Sequence, residues 1–218
     1  MAATTRREVM RALLDAYGRT YAAEARIPLK DTPQPLYRLL VLACLLSARI
    51  RADIAVAAAQ ELAAAGMRDP RRMAEATWQQ RVDALGRAGY RRYDERTATQ
   101  LGDGATLAAE RYGGDLRTLR DQADGVIASL QRLLQEFPGV GPAGADIFLR
   151  EAQAVWPGVA PYFDAKALQG ARALDLPTAP AALLRLTDGA EPAVVAAALV
   201  RVALDKKAPQ AVREAARA

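Results

Sequence analysis

Residues Leu36 to Ser47 read LYRLLVLACLLS, and this stretch decides the fold. Apolar side chains fall on almost every side of a helix drawn through it, and the period-2 alternation of a half-buried strand is missing. A helix that is apolar all round has to lie in the middle of a domain, with other helices packed around it. We therefore expect Cys44, which lies within the stretch, to be a core residue.

The composition of the rest of the chain agrees with a helical fold. The 218 residues are 51% hydrophobic but only 6% aromatic, and no segment alternates β-branched residues as strands do. This length and hydrophobic content suffice for one large domain or two small ones that share a cleft. We predict an all-α protein of two interleaved helical lobes, one comprising residues 1–34 and 142–218 and the other residues 35–141.

Capping residues, Gly and Pro predict where the remaining helices begin and end. A helix should run from about Thr5 to Arg26, weakened at Gly18. Asp53 should cap a helix that reaches Ala65, Asp69-Pro70 should open the next, and a third should run from Thr77 to Leu85. Tyr93 to Tyr112 should form a helix that is interrupted by Gly102 and Gly104.

The second half of the chain follows the same logic. Two helices around Gly125, one from Ala143 to Val155 and one that starts near Asp164 are expected. Three proline residues divide the remainder into three short helices, whose apolar face should comprise Val194, Val195, Leu199, Val202 and Leu204.

Residue counts exclude several kinds of chemistry. The chain has no histidine and one cysteine, so zinc sites, Ser-His or Cys-His catalysis, an internal disulfide and a four-thiolate cluster are all excluded. The net charge of +5 comes mainly from arginine and favours an anionic partner, although GC-rich coding produces a similar composition. No apolar run approaches a membrane span, and Met1 to Met10 lack a signal-peptide pattern, so we expect a cytoplasmic protein without a membrane partner.

The segment Phe137-Pro138-Gly139-Val140-Gly141-Pro142 carries the main functional signal. Two glycines lie two residues apart, between a helix that should end near Glu136 and one that should start near Pro142. Glycine permits backbone angles and close approaches that a side chain would block. The backbone amides of such a turn, with the N-terminus of the next helix, can donate to a phosphate. The same residues would also form a plain helix corner that binds nothing.

Four segments, in this order along the chain, resemble the helix-hairpin-helix DNA glycosylase superfamily that includes endonuclease III. Leu45 to Arg49 is similar to the family's Leu-Leu-Ser-Ala-Gln, and Phe137 to Gly141 to its Leu-Pro-Gly-Val-Gly. Gly89 to Arg96 resembles the family's Gly-Leu/Tyr-Tyr segment, and Phe163-Asp164 falls where the family has Val-Asp. The resemblance implies a protein that binds double-stranded DNA and acts on a nucleotide flipped out of the duplex.

The resemblance also implies roles for hairpin residues. The backbone around Gly139, Val140 and Gly141 would contact a DNA phosphate. The carbonyls of Phe137 and Val140 would hold a monovalent cation, and no other cofactor is expected.

Asp164 is implied as the catalytic carboxylate, since a carboxylate can stabilise the positive charge that develops when a glycosidic bond breaks. Arg49 stands where the family has a glutamine that fills the gap left by the flipped nucleotide. Apart from the resemblance, a basic cluster with Tyr90 and Tyr93 between its members would contact phosphate: Arg87, Arg91, Arg92 and Arg96. Each residue also has an ordinary alternative: Asp164 as a helix cap, and the arginines as solvated side chains.

The chain departs from the family at two places. Bifunctional members have a lysine two residues after the second hairpin glycine, where this chain has Ala143, so we expect no β-lyase activity of that kind. Lys166 is the alternative nucleophile, or else an ordinary surface lysine. The family's iron-sulfur cluster cannot form, because nothing after Cys44 is cysteine.

Together these features predict a monomeric, nucleoid-associated, monofunctional DNA glycosylase that hydrolyses the N-glycosidic bond of a modified or damaged base. The alternative is a catalytically inactive helix-hairpin-helix protein that recognises damaged or bent DNA.

Overall fold

The computed structural model describes residues 5–217, and this part of the chain forms fourteen α-helices and no β-strand. The all-α prediction is confirmed. Residues 1–4 and 218, at the ends of the predicted N- and C-terminal lobe, lie outside the described residues. The helices are α1 (Arg6–Tyr17), α2 (Tyr21–Glu24), α3 (Pro33–Ser47), α4 (Ala52–Ala64), α5 (Pro70–Glu75), α6 (Trp78–Arg87), α7 (Asp94–Tyr112), α8 (Leu116–Gln122), α9 (Ile127–Leu134), α10 (Pro142–Ala152), α11 (Ala165–Ala173), α12 (Pro180–Leu184), α13 (Pro192–Leu204) and α14 (Ala208–Ala215).

Helix α3 contains the whole apolar stretch and begins three residues earlier, at Pro33. It packs against α4, α8 and α10, as a helix that is apolar on all sides requires. Cys44 on α3 is buried, which confirms its prediction as a core residue. Burial raises the pKa of the Cys44 thiol to about 12, because desolvation disfavours the thiolate. None of the described helices combines the length and hydropathy needed to cross a membrane.

The buried side chains form two clusters. The larger is built on α2 to α10, and the smaller joins α1 to α11, α12, α13 and α14. Helix α10 connects them because it packs on both α3 and α13. The carboxylate of Glu151, buried on α10, accepts the backbone amides of Tyr21 and Ala22 at 3.0 Å each, which fixes the start of α2. The sequence-based division at residues 34 and 141 stays a prediction.

Helices α11 and α13 cross in close contact within the smaller cluster. A Cβ atom at Gly170 would lie 1.9 Å from the carbonyl oxygen of Leu199, so only glycine allows the two backbones to approach this far. The crossing fixes the N-terminus of α11, where Asp164 is the N-cap.

Four details of the sequence-based prediction are wrong. The helix expected from Thr5 to Arg26 is two helices, α1 and α2, because Gly18 is the C-cap of α1 and Thr20 caps a new helix. Arg51, not Asp53, occupies the N-cap position of α4, and Asp53 lies inside the first turn, where it pairs with Arg51 at 2.7 Å. Helix α7 runs without a break through its glycines, because Gly102 packs against the guanidinium of Arg81 rather than ending the helix. Leu204 is 61% exposed at the end of α13 and does not belong to its buried face.

Candidate nucleic-acid interface

The segment between α9 and α10 is a tight turn of the kind that its glycines predict. The amide of Val140 donates to the carbonyl of Phe137 at 2.9 Å, with Pro138 and Gly139 at the two central positions. Gly139 has φ of +83°, which is the left-handed backbone that the third residue of a type II turn requires. The local sequence Phe-Pro-Gly-Val therefore determines the shape of this turn.

The hairpin packs against side chains of α3 and α7. A Cβ atom at Gly139 would lie 2.8 Å from Sγ of Cys44 and 2.9 Å from Oε1 of Gln100, so glycine is required for space as well as for conformation. The hydroxyl of Ser47, at the end of α3, donates to the carbonyls of Cys44 at 2.7 Å and Gly139 at 3.3 Å. The hairpin is thus held in one conformation by side chains of α3 and α7.

The N-terminus of α10 leaves backbone donors free. Gly141 is its N-cap and supplies no side-chain acceptor, and Pro142 occupies the first helical position. Within residues 5–217, the amides of Gly141, Ala143 and Gly144 donate to no protein acceptor. Gly141 and Ala143 are exposed. Uncapped amides at the positive end of a helix dipole favour an anion such as phosphate.

An open groove of about 550 Å³ runs beside the hairpin. Three segments that are distant in sequence line it: the end of α3 with Arg49, the start of α7 with Tyr93 and Arg96, and the hairpin itself. The structure therefore brings together three of the four segments that carry the sequence resemblance. Asp164 and Lys166 do not line this groove.

Two arginines that the protein does not neutralise, Arg49 and Arg96, line the groove, whereas Arg91 and Arg92 do not line it. Arg49, Arg91, Arg92 and Arg96 are exposed, and within the described residues none of them lies within 4.0 Å of a carboxylate oxygen. The guanidinium of Arg92 lies 5.3 Å from the ring centroid of Tyr93.

Some acidic charges nearby are unpaired: within residues 5–217, half-buried Asp94 and exposed Glu95, between the groove-lining Tyr93 and Arg96, make no ion pair. The only acidic residue among those that line the groove is Glu136, and it is paired with Arg111. Arg87, which precedes Arg91 in the chain, binds Glu61 at 2.9 Å. The residues that line the groove therefore carry a net positive charge, which Asp94 and Glu95 beside it offset in part.

Asp164 has a different environment from that of an open catalytic carboxylate. Its side chain is 6% exposed and accepts the guanidinium of Arg150, itself 9% exposed, on both oxygens at 2.9 and 3.0 Å. Its Oδ1 atom also accepts the amide of Ala167 at 3.2 Å as the N-cap of α11. The cap role is confirmed. No sequence pattern links Asp164 to Arg150, which lies 14 residues away on α10.

Lys166 follows in the first turn of α11. Its ammonium group donates to Oε1 of Gln169 at 2.9 Å, and its side chain is half-buried. This is an ordinary helix-surface contact. The role of Lys166 as an alternative nucleophile stays a prediction.

One polar cluster was missed at the sequence level. On α10, Oδ1 of Asp146 accepts the hydroxyl of Tyr162 and, at 2.9 Å, the side-chain amide of Gln131 on α9. The backbone of Tyr162 is held in turn by the buried side chain of Gln153, which accepts its amide at 2.7 Å and donates to its carbonyl at 3.0 Å. No sequence signal joins these residues, because they come together only when α9, α10 and the following loop pack.

The predicted cation site involves one carbonyl that the turn already uses. Phe137 accepts the amide of Val140, which leaves one lone pair of the Phe137 carbonyl for a cation. No group of three or more metal-binding side chains occurs in residues 5–217. A site built from backbone carbonyls does not depend on such a group, so this assignment stays a prediction.

Comparison with models of known protein families gives no match for this sequence, and comparison with the curated proteins gives none either. The resemblance to endonuclease III therefore rests on the four sequence segments alone.

Proposed function

We propose that this protein binds double-stranded DNA, with the hairpin as a helix-hairpin-helix phosphate contact. The observation that carries the proposal is the convergence of Gly141, the N-cap of α10 with a free amide, and the side chains of Arg49 and Arg96 at one groove. Phosphate oxygens accept hydrogen bonds from such amides, and unpaired arginines add affinity that does not depend on base sequence.

Salt dependence of binding tests this proposal. Affinity for a fluorescently labelled duplex is measured by anisotropy from low to physiological salt. Each arginine that contacts a phosphate adds about 0.9 to the slope of log K against log salt concentration. Arg49→Ala and Arg96→Ala should each lower the slope by about one, with little change in sequence preference. Arg185→Ala is the matched control, because Arg185 is also exposed but lies beyond α12. Equal slopes for all variants would contradict the proposal.

Base excision is the second candidate function. The protein would act as a monofunctional, endonuclease III-like DNA N-glycosylase that hydrolyses the bond to a modified or damaged base. Its support is the ordered resemblance of the four segments, three of which line one groove. Extruding a nucleotide costs a few kcal/mol, and Arg49 on the groove would fill the space that it leaves. Ala143, in place of the family's lysine, argues against β-lyase chemistry.

The inactive alternative, a protein that recognises damaged or bent DNA, has a specific observation in its favour. The ion pair between Asp164 and Arg150 occupies both oxygens of the expected catalytic carboxylate. Base release from duplexes that each carry one modified base separates the two functions, because a binding protein would shift the DNA in a gel without releasing a base. Borohydride trapping tests Lys166: a covalent adduct that disappears in Lys166→Ala would show an amine nucleophile.

A further inference from the structure

The side chain of Asp164 is buried. Base excision would therefore need another carboxylate, one that a bound nucleotide can reach. Asp164 is bonded by Arg150 and by the amide of Ala167, and its side chain is 6% exposed. A nucleotide could reach its oxygens only after a buried ion pair had opened, and breaking such a pair is costly.

Asp146 has the properties that Asp164 lacks. It is half-buried on α10, and both side-chain hydrogen bonds that it accepts, from Tyr162 and Gln131, go to Oδ1. Within residues 5–217 its Oδ2 atom has no protein partner, and it is not completely shielded from solvent. No arginine or lysine of the described chain lies within 4.0 Å of it. Asp146 is thus a carboxylate with one oxygen hydrogen-bonded by the protein and the other unpartnered and not fully buried.

The donors to Asp146 are themselves fixed. Burial raises the pKa of Tyr162, and its hydrogen bond with Asp146 raises it further, so the phenol keeps its proton and remains a donor. Gln131 donates to the Tyr162 hydroxyl at 3.0 Å as well as to Asp146. Gln153 holds the backbone of Tyr162 from the buried side. This arrangement orients one carboxylate oxygen and leaves the other unpartnered.

Asp146, like Asp164, does not line the groove, but it lies close in the chain to the uncapped amides at the start of α10. It follows exposed Ala143 by three residues on α10, so both side chains lie on the same side of the helix. Three residues correspond to an axial rise of about 4.5 Å. A strand whose phosphate is held at the start of α10 would bring a sugar within reach of this side of the helix.

We infer that Asp146, rather than Asp164, is the carboxylate that faces the sugar of a bound nucleotide, and that Tyr162 and Gln131 are its positioning residues. The inference rests on the proposed base excision. In the hydrolytic step, a water oxygen bonds to C1′ of the sugar and gives its proton to Oδ2 of Asp146. The bond from C1′ to the base nitrogen breaks, and the base leaves with the electron pair and takes a proton from solvent. Asp164 then acts only as the N-cap and the counterion of Arg150.

Two abasic-site duplexes of the same sequence test this role without knowledge of the base. One carries a tetrahydrofuran, which is neutral, and the other a pyrrolidine, whose protonated nitrogen stands for the positive charge that the sugar develops. The measured quantity is the ratio of the two dissociation constants. Wild-type protein should prefer the cationic duplex by about a hundredfold, as expected for a transition-state mimic.

The variants distinguish the two carboxylates. Asp146→Asn keeps the acceptor for Tyr162 and should bring the ratio close to one while affinity for the neutral duplex is retained. Tyr162→Phe should lower the ratio in part, which a purely structural role of the hydroxyl would not do. Asp164→Asn, which preserves the cap, is the control and should keep the wild-type ratio.

Each other outcome is decisive. A cationic preference that survives in Asp146→Asn, or that is lost in Asp164→Asn instead, would overturn the inference. Equal binding of both duplexes by wild-type protein would also overturn it but would leave DNA binding intact. If wild-type protein binds neither duplex at low salt, the proposed function fails and the inference fails with it.

Discussion

Replacement of Asp164 by alanine should destabilise the protein strongly, whatever its role in catalysis. The substitution leaves the Arg150 guanidinium, whose side chain is 9% exposed, without its carboxylate. Breaking a buried ion pair by removing one partner costs about 3–5 kcal/mol, and losing an N-cap costs about 1 kcal/mol. Because both losses fall on one residue and do not add fully, we expect a decrease of about 4 kcal/mol in the free energy of unfolding.

Urea denaturation followed by circular dichroism measures this loss. For a chain of this length, about 4 kcal/mol corresponds to a decrease in Tm of about 8–16 °C. Asp164→Asn is the matched control: its amide oxygen can still cap α11 and accept Arg150, so it should lose less than half as much. Arg150→Met in the Asp164→Ala background should recover part of the stability, because no buried charge remains unpaired. A loss below about 1 kcal/mol in Asp164→Ala would refute the assignment of this pair as a structural element.

Three further predictions concern Gly139, Cys44 and Glu151. Gly139→Ala should lower the free energy of unfolding by about 2 kcal/mol or more. The φ of +83° disfavours alanine by about 1–2 kcal/mol, and the new methyl group would contact Cys44. Thermal melting measures this loss of stability. With its pKa raised to about 12, the Cys44 thiol should not react with a neutral disulfide reagent at pH 8 until the protein unfolds, and rapid reaction of the native protein would contradict its burial. Burial raises the pKa of Glu151 above 4.5, so its contribution to stability is fully present below that pH and is lost as pH rises through the raised value. Urea unfolding of wild type and Glu151→Gln from pH 4 to pH 8 measures this. The stability of wild type relative to Glu151→Gln should decrease as pH rises.

The features that could be predicted from sequence depend on residues close together in the chain. The apolar stretch of α3 identifies a central helix because no side of it is polar. The turn at Gly139 follows from Pro and Gly at adjacent positions, and the cap at Asp164 from its place before an apolar helix. In each case a local conformational preference and the tertiary structure agree.

The features that could not be predicted depend on contacts between distant residues. Whether Gly102 interrupts α7 depends on Arg81, which lies on α6 and packs against it. The burial of Asp164 depends on Arg150 from α10, and the unpartnered oxygen of Asp146 depends on Tyr162 from the following loop. The sequence shows which residues are present and which are close together in the chain, but it does not show which distant residues pack together.

The central claim is that the hairpin amides hold DNA, and one substitution tests it most directly. Gly141 is exposed, its φ is −90°, and a Cβ atom there would meet no protein atom within 4 Å, so Gly141→Ala should fold normally. Gly158, beyond the other end of α10, is equally exposed and unobstructed, and Gly158→Ala is the matched control.

The measurement is the dissociation constant for a labelled duplex at low salt. A methyl group at Gly141 would keep a phosphate from the amides, and the loss of one charge-assisted hydrogen bond predicts binding weaker by about tenfold. Gly158→Ala should bind as wild type does. Equal affinity for all three proteins would contradict the account, because the hairpin would then not be the DNA contact.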